Sequence, residues 1–284
     1  MPIRLKLDGW TTWLYNRLMN GLVKCALACA ALVITLGCSS TRITQAPTAA
    51  LPGQQARVFR GPVVQPVQLQ YLLALPEGYD QDKQKKWPLV LFLHGMGERG
   101  STLTNVAVHG PPKLVAQGRK FPFILVAPQC PLGDFWHAEQ LIALLDDVKK
   151  QYRVDDDRVS VTGLSMGGYG TWELATTFPE YFAAAAPICG GGGIIPIAAA
   201  SADRRAEIKG LPIWAFHGAK DNIVPLSESE SMINQLKRIG NNAKLTVYPN
   251  ANHDSWTETY NNPELYSWLM QQMRQRGVAA QSSR

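Results

Sequence analysis

The 284-residue sequence has no H-E-x-x-H and no C-x-x-C, and its five histidines and five cysteines nowhere cluster at metal-ligand spacing. That excludes the common zinc arrangements, and no metal or other cofactor is expected. Neither a dinucleotide fingerprint nor a phosphate loop is expected; the run Gly190-Gly-Gly-Gly193 lacks the following Lys-Ser/Thr and reads as a flexible loop. No repeat recurs at a period of 20–50 residues, which excludes solenoids and propellers. A net charge of +6 comes without a basic stripe carrying interleaved aromatics, so nucleic acid is not an expected partner.

Long hydrophobic runs are also missing. The apolar stretch 25–36 spans 12 uncharged residues, too short for a transmembrane helix, which needs about 20. Behind Arg4, Lys6, Arg17 and Lys24 it fits the apolar region of a secretory signal, so residues 1–37 are expected to be removed. Thr35-Leu36-Gly37-Cys38 resembles a bacterial lipoprotein processing site with Cys38 as the lipidated residue, although Thr35 is less usual there than leucine. Initiation at Met19 instead of Met1 would bring that cysteine to the ordinary distance from the start. The expected location is the bacterial cell envelope, as an outer-membrane lipoprotein held by Cys38, or otherwise the periplasm or exterior. Residues 38–55, rich in Thr, Ala, Pro and Gln, read as a flexible tether, 56–276 as one domain and 277–284 as a disordered tail. Removing residues 1–37 takes four basic residues and one acidic, leaving 24 against 21, net +3. A monomer is expected.

Within the domain, strand-like and helix-like segments alternate. Residues 67–75, 88–93, 123–127, 158–162, 182–188, 213–217 and 244–248 read as strands. Segments such as 88–93 are apolar on both faces, as parallel strands covered on each side must be. Helices are expected at about 139–150, 169–178, 227–239 and 263–276; in the first, Leu141, Ile142, Leu144, Leu145 and Val148 form one stripe. The class is α/β with a mainly parallel sheet.

Gly163-Leu164-Ser165-Met166-Gly167 is the most informative stretch. It is a G-x-S-x-G set between the apolar run 158–162 and a helix-like stretch, the context in which a serine is held exposed on a strained strand-to-helix turn. Ser165 is therefore the candidate nucleophile, and it needs a histidine base and an orienting carboxylate. His253, in the loop after the last strand, is the candidate base, and Asp221, in His217-Gly-Ala-Lys-Asp221, the candidate acid. His217 and His94 read as structural, Asp254 as pointing away from its neighbour His253, and Asp203 and Glu207 as solvated. In His94-Gly95-Met96-Gly97 the backbone N–H of Met96 is the expected first oxyanion donor, with Gly95 the alternative; Met166 supplies the second. The Met96 side chain is expected near the acyl pocket. Glu98 and Arg99 are expected to pair and anchor this loop, and Trp136 and Trp256 to wall the cleft. His109 and His137 read as isolated loop or surface residues.

These residues resemble the compact α/β-hydrolase esterases: predicted peptidases, dienelactone hydrolases, polyhydroxybutyrate depolymerases and feruloyl-type carbohydrate esterases. The likeness covers about residues 65–275. It rests on Leu75-Pro-Glu-Gly-Tyr79, Leu93-His-Gly-Met-Gly-Glu-Arg99, Gly163-Leu-Ser-Met-Gly-Gly168, His217-Gly-Ala-Lys-Asp221 and Asn252-His253-Asp-Ser-Trp256. The resemblance implies an eight-stranded sheet in the order 1-2-4-3-5-6-7-8, its second strand antiparallel, with the triad on Ser165, Asp221 and His253. That order separates Cys130 from Cys189 by three strand spacings, roughly 14 Å, so both are expected as free thiols. The short connection between the sixth and seventh strands implies no large cap domain. The expected activity is serine carboxylic-ester hydrolysis through an acyl-enzyme, on short-acyl or polysaccharide-linked acetyl or feruloyl esters. A serine peptidase of the same fold is the alternative within enzymes, and a non-catalytic glycan-binding envelope lipoprotein the alternative outside them.

Overall fold

The computed structural model describes residues 66–274. The signal 1–37, Cys38, the tether 38–55, the first residues of the expected domain and the tail 277–284 lie outside the described residues.

Seven strands form one sheet: β1 (Tyr71–Ala74), β2 (Trp87–Leu93), β3 (Ile124–Pro128), β4 (Val154–Leu164), β5 (Ala184–Ile188), β6 (Trp214–Gly218) and β7 (Lys244–Tyr248). Their order is β1-β3-β2-β4-β5-β6-β7. Strand β1 runs antiparallel to β3, and the other neighbours are parallel. These strands fill the second to eighth places of the implied eight-stranded order; the first place has no occupant among the described residues.

The sequence pattern of β2 explains its central position. Leu89, Leu91 and Leu93 pack into one buried cluster and Val90 and Phe92 into another, one on each face of the sheet. The first cluster takes in α2 (Ala138–Gln151), α3 (Met166–Thr177) and α6 (Leu226–Arg238) through Leu145, Trp172 and Leu236. The second takes in α7 (Trp256–Asn261) and α8 (Pro263–Gln271) through Tyr260 and Leu265, with Leu114 of α1 (Gly110–Ala116) packed against it. Between β5 and β6 lie only α4 (Ile195–Ala198) and α5 (Ala202–Gly210), so among the described residues no cap domain is inserted there.

Elements α1, α4, α5 and α7 were not expected. Each is short, and α1 and α4 begin with proline in the first turn, which reads locally as a turn. The glycine run after β5 is a correction. Its first part is packed while Gly193 is exposed: Gly190 and Gly191 are buried, and a Cβ on Gly190 would come within 2.6 Å of the Gly168 backbone. One on Gly191 would meet Glu228 Oε2 at 2.3 Å. The glycines here allow close approach of β5, α3 and α6.

Candidate active site

All three residues expected to carry the chemistry lie beyond the carboxyl ends of parallel strands, where open α/β sheets form their crevices. Ser165 follows β4 directly and has φ 52° and ψ −117°, a strained conformation for a residue with a side chain. Its N–H donates to Ile188 O at 3.0 Å, and its own C=O accepts from Tyr169 in the first turn of α3. The glycines beside it are obligatory. A Cβ on Gly163 would lie 2.4 Å from Gly167 O, and one on Gly167 only 2.0 Å from Leu93 O.

The structure brings Ser165, His253 and Asp221 into one hydrogen-bonded line. His253 Nε2 is 2.9 Å from Ser165 Oγ, and Nδ1 is 2.7 Å from Asp221 Oδ2. An ionised carboxylate only accepts, so Nδ1 carries the proton and Nε2 accepts from the serine hydroxyl. The Asp221 side chain is fully buried. Its Oδ1 accepts from the backbone N–H groups of Ile223 and Val224, each at 2.9 Å. Burial pushes this carboxyl up, but the hydrogen bond from His253 and those from Val224 and Ile223 outweigh it and hold it below the usual carboxylate range.

The other histidines divide clearly. His217 is buried; its Nε2 donates to Val224 O at 2.9 Å and lies 3.3 Å from Asp221 Oδ2. Its Nδ1 is 2.7 Å from Ser229 Oγ, whose hydroxyl donates to Gly190 O at 2.9 Å. His94 donates from Nδ1 to Gly95 O and accepts the Cys130 N–H at Nε2; burial lowers its pKa, so it is a neutral brace. His137 reaches Asp134 at 2.9 Å and its ring meets that of Phe135 at a tilt, with centroids 4.4 Å apart. Asp254 accepts from the N–H and hydroxyl of Thr257 and so caps α7.

The loop after β2 lies against the nucleophile: a Cβ on Gly95 would be 3.6 Å from Ser165 Cβ. Met96 opens a turn of 3-10 helix (Met96–Glu98) and is 59% exposed. Met166 is the first residue of α3, so its N–H has no intrahelical acceptor. Gly95, Gly97 and Gly100 do have dinucleotide-fingerprint spacing, but the strand leads into this three-residue turn and not into a helix.

Three expectations need correction. Trp136 does not wall a cleft: it is 4% exposed, its ring packs on His94 at 4.9 Å, and its indole N–H donates to His94 O at 3.1 Å. Glu98 and Arg99 do not pair. Arg99 donates to Met96 O and Asp134 O, while Glu98 Oε1 lies 3.6 Å from His109 Nε2. His109 is thus not isolated; its ring meets Trp256 edge-on at 5.3 Å, and Trp256 meets His253 edge-on at 5.3 Å. Trp256 therefore stands beside the triad as expected, and His109 joins it. Trp256 is 147 positions from His109, so no local signal marks the pair.

Cys130 and Cys189 are both free and buried. Cys189 follows β5 with φ 40°, and burial pushes its thiol up to about 12. Among the described residues, the His/Cys/Asp/Glu atoms that gather as a possible metal set are those of Cys189, Asp221 and His253, all within 4.8 Å. A thiol held protonated is a poor metal donor, and the other two are engaged with each other.

Residues 137–267 match the family model described as Dienelactone hydrolase family. Poly(3-hydroxyalkanoate) depolymerase C of Paucimonas lemoignei is 31% identical over 143 residues, covering 44% of this chain and 32% of the relative. The bifunctional acetylxylan esterase/xylanase XynS20E of Neocallimastix patriciarum is 27% identical over 192 residues, covering 64% of this chain and 26% of the relative. The chain thus spans a third or less of the length of these curated relatives. The crystal structure of a thermostable esterase superposes with TM-score 0.60 at 34% identity, over 73% of this chain and 60% of that one. With this superposition and the strand order above, the fold is that of the α/β-hydrolases.

Proposed function

We propose that this protein is a serine carboxylic-ester hydrolase acting through an acyl-enzyme on short-acyl or carbohydrate-linked esters. The observation that carries the reading is the unbroken line from Ser165 Oγ through His253 to Asp221 beside a strained elbow. Ser165 attacks the ester carbonyl while His253 Nε2 takes its proton. Asp221 keeps the proton of His253 on Nδ1 and stabilises the imidazolium as it forms. The N–H groups of Met96 and Met166 hold the oxyanion, a contribution of about 10²–10³ in rate per donor. His253 then returns the proton to the departing alcohol, and a water activated the same way releases the acyl group.

The named activities of the depolymerase and acetylxylan esterase relatives favour ester over amide substrates. Export with lipid attachment at Cys38, and through it a membrane location, is part of the proposal and rests on the leader sequence.

The test is hydrolysis of p-nitrophenyl acetate by wild type and Ser165→Ala. Loss of the nucleophile in comparable triads costs roughly a million-fold in turnover. Retention of a tenth of wild-type activity overturns the assignment, and a wild type inert toward esters but able to cleave a peptide anilide favours the peptidase reading.

A further inference from the structure

A groove of about 180 Å³ opens between α1 and α7, bordered by His109, Lys113, Gln117, Trp256 and Asn261. It begins at Trp256, one ring-to-ring step of 5.3 Å from His253, and takes in His109, a second step of 5.3 Å beyond. The histidine that returns a proton to the departing alkoxide must lie next to the alcohol oxygen. Trp256 is the aromatic ring beside that histidine, and an alcohol reaching from His253 across Trp256 would enter this groove.

The lining identifies what kind of alcohol. Lys113, Gln117 and Asn261 are exposed. Asn261 donates its amide to Thr257 O at 2.9 Å, which leaves its carbonyl oxygen turned to other uses. His109 has Nε2 toward Glu98, so this carboxylate orients the ring and leaves Nδ1 available. An amine, two amides and an imidazole edge thus border a concave surface whose floor adds Leu114, Trp256 and Tyr260, an aromatic and aliphatic base under a polar rim, with no carboxylate among the bordering residues. Covering them with an alkyl alcohol would strip their water without replacing it, at a cost for each group. A hydroxyl-rich alcohol replaces those waters bond for bond, and the groove has room for about six of them.

We infer that this groove is the leaving-group subsite, and that it selects esters whose alcohol is a neutral or acidic sugar. The inference rests on the esterase reading above and adds to it which half of the substrate is recognised and by which residues. Lys113 and Gln117 are specificity residues that touch no reacting atom.

The experiment compares kcat/KM for two esters of one acyl group, feruloyl or acetyl: the methyl ester and the ester of a xylo-oligosaccharide hydroxyl. Both are measured on wild type and on Lys113→Ala/Gln117→Ala, with melting temperatures as a check on folding. The wild type is expected to prefer the sugar ester. The double variant should lose about tenfold on it, while the methyl ester changes by less than about twofold, as removal of one or two ligand hydrogen bonds predicts. No preference for the sugar ester, or equal losses on both substrates, overturns the subsite and leaves the esterase reading standing. Failure of wild type to hydrolyse either ester of either acyl group overturns both.

Discussion

Asp221 Oδ2 lies 2.7 Å from His253 Nδ1, and the other oxygen of the same carboxylate is held by two backbone N–H groups of its own turn. The carboxylate is fixed before the histidine meets it, so the imidazole has one favoured tautomer. Asp221→Asn would present an amide N–H or a weaker acceptor to Nδ1 and allow the tautomer with its proton toward Ser165. Turnover should fall by about 10⁴ while the fold survives, by analogy with comparable triads. Steady-state kinetics with p-nitrophenyl acetate, alongside circular dichroism, measures this. An unaffected rate would move the orienting role to another carboxylate.

The same group ties stability to acid. An unfolded aspartate titrates near about 3.9, and in the folded protein Asp221 lies below that. With a depressed folded value, its stabilising contribution is complete above the unfolded pKa and disappears as pH falls through the folded one. The melting-temperature gap between wild type and Asp221→Asn should therefore be widest near neutrality and narrow below about pH 4. Melting curves from pH 7 downward test it; a gap that stays constant would mean that the carboxylate gains nothing from its partners.

Ser165, Asp221 and His253 were legible because each sits in a short motif just past a strand, and strand ends in a parallel sheet converge on one crevice. The strands themselves were legible from two-faced apolar runs such as 88–93. What escaped was whatever depended on facing direction or distant contact. Trp136 and Trp256 both follow strands, yet only packing decides that the first turns under the His94 loop and the second stands by His253. His109 carries no local signal, since its partners Glu98 and Trp256 are brought to it by the folding of separate connections. The glycine run 190–193 looked flexible because composition does not reveal that α3 and α6 press against it.

His217 offers the sharpest contrast with His253. It is fully buried and bonded to Val224 O, with Ser229 Oγ at its other nitrogen. His217→Ala would leave Ser229 without that partner and open a cavity beneath the Asp221 turn. The expected cost is about 3 kcal/mol of stability, in the range for a buried network broken from one side. Asp221 would keep His253 and both backbone donors, so turnover measured well below the lowered melting temperature should stay within about tenfold of wild type. Full loss of activity with an unchanged melting temperature would show that the base had been misassigned.

The proposed leader, residues 1–37, gives a prediction that is independent of the triad. Its apolar run of 12 residues is too short to span a bilayer, and it ends in Leu36-Gly37-Cys38, where a lipoprotein signal places its cleavage. A single short acyl chain binds membranes only reversibly, so lasting attachment requires more than one chain on the terminal cysteine. The residue after Cys38 is Ser39, not the aspartate that by family analogy retains such proteins at the inner membrane, so the outer membrane is the expected destination. Mass spectrometry of the protein purified from membranes should find Cys38 at the N-terminus carrying lipid. Cys38→Ser should abolish that product, leaving precursor or protein cut elsewhere. An unmodified N-terminus downstream of Cys38 would mean a freely exported protein: the anchor would be refuted, and the chemistry proposed for Ser165 would stand.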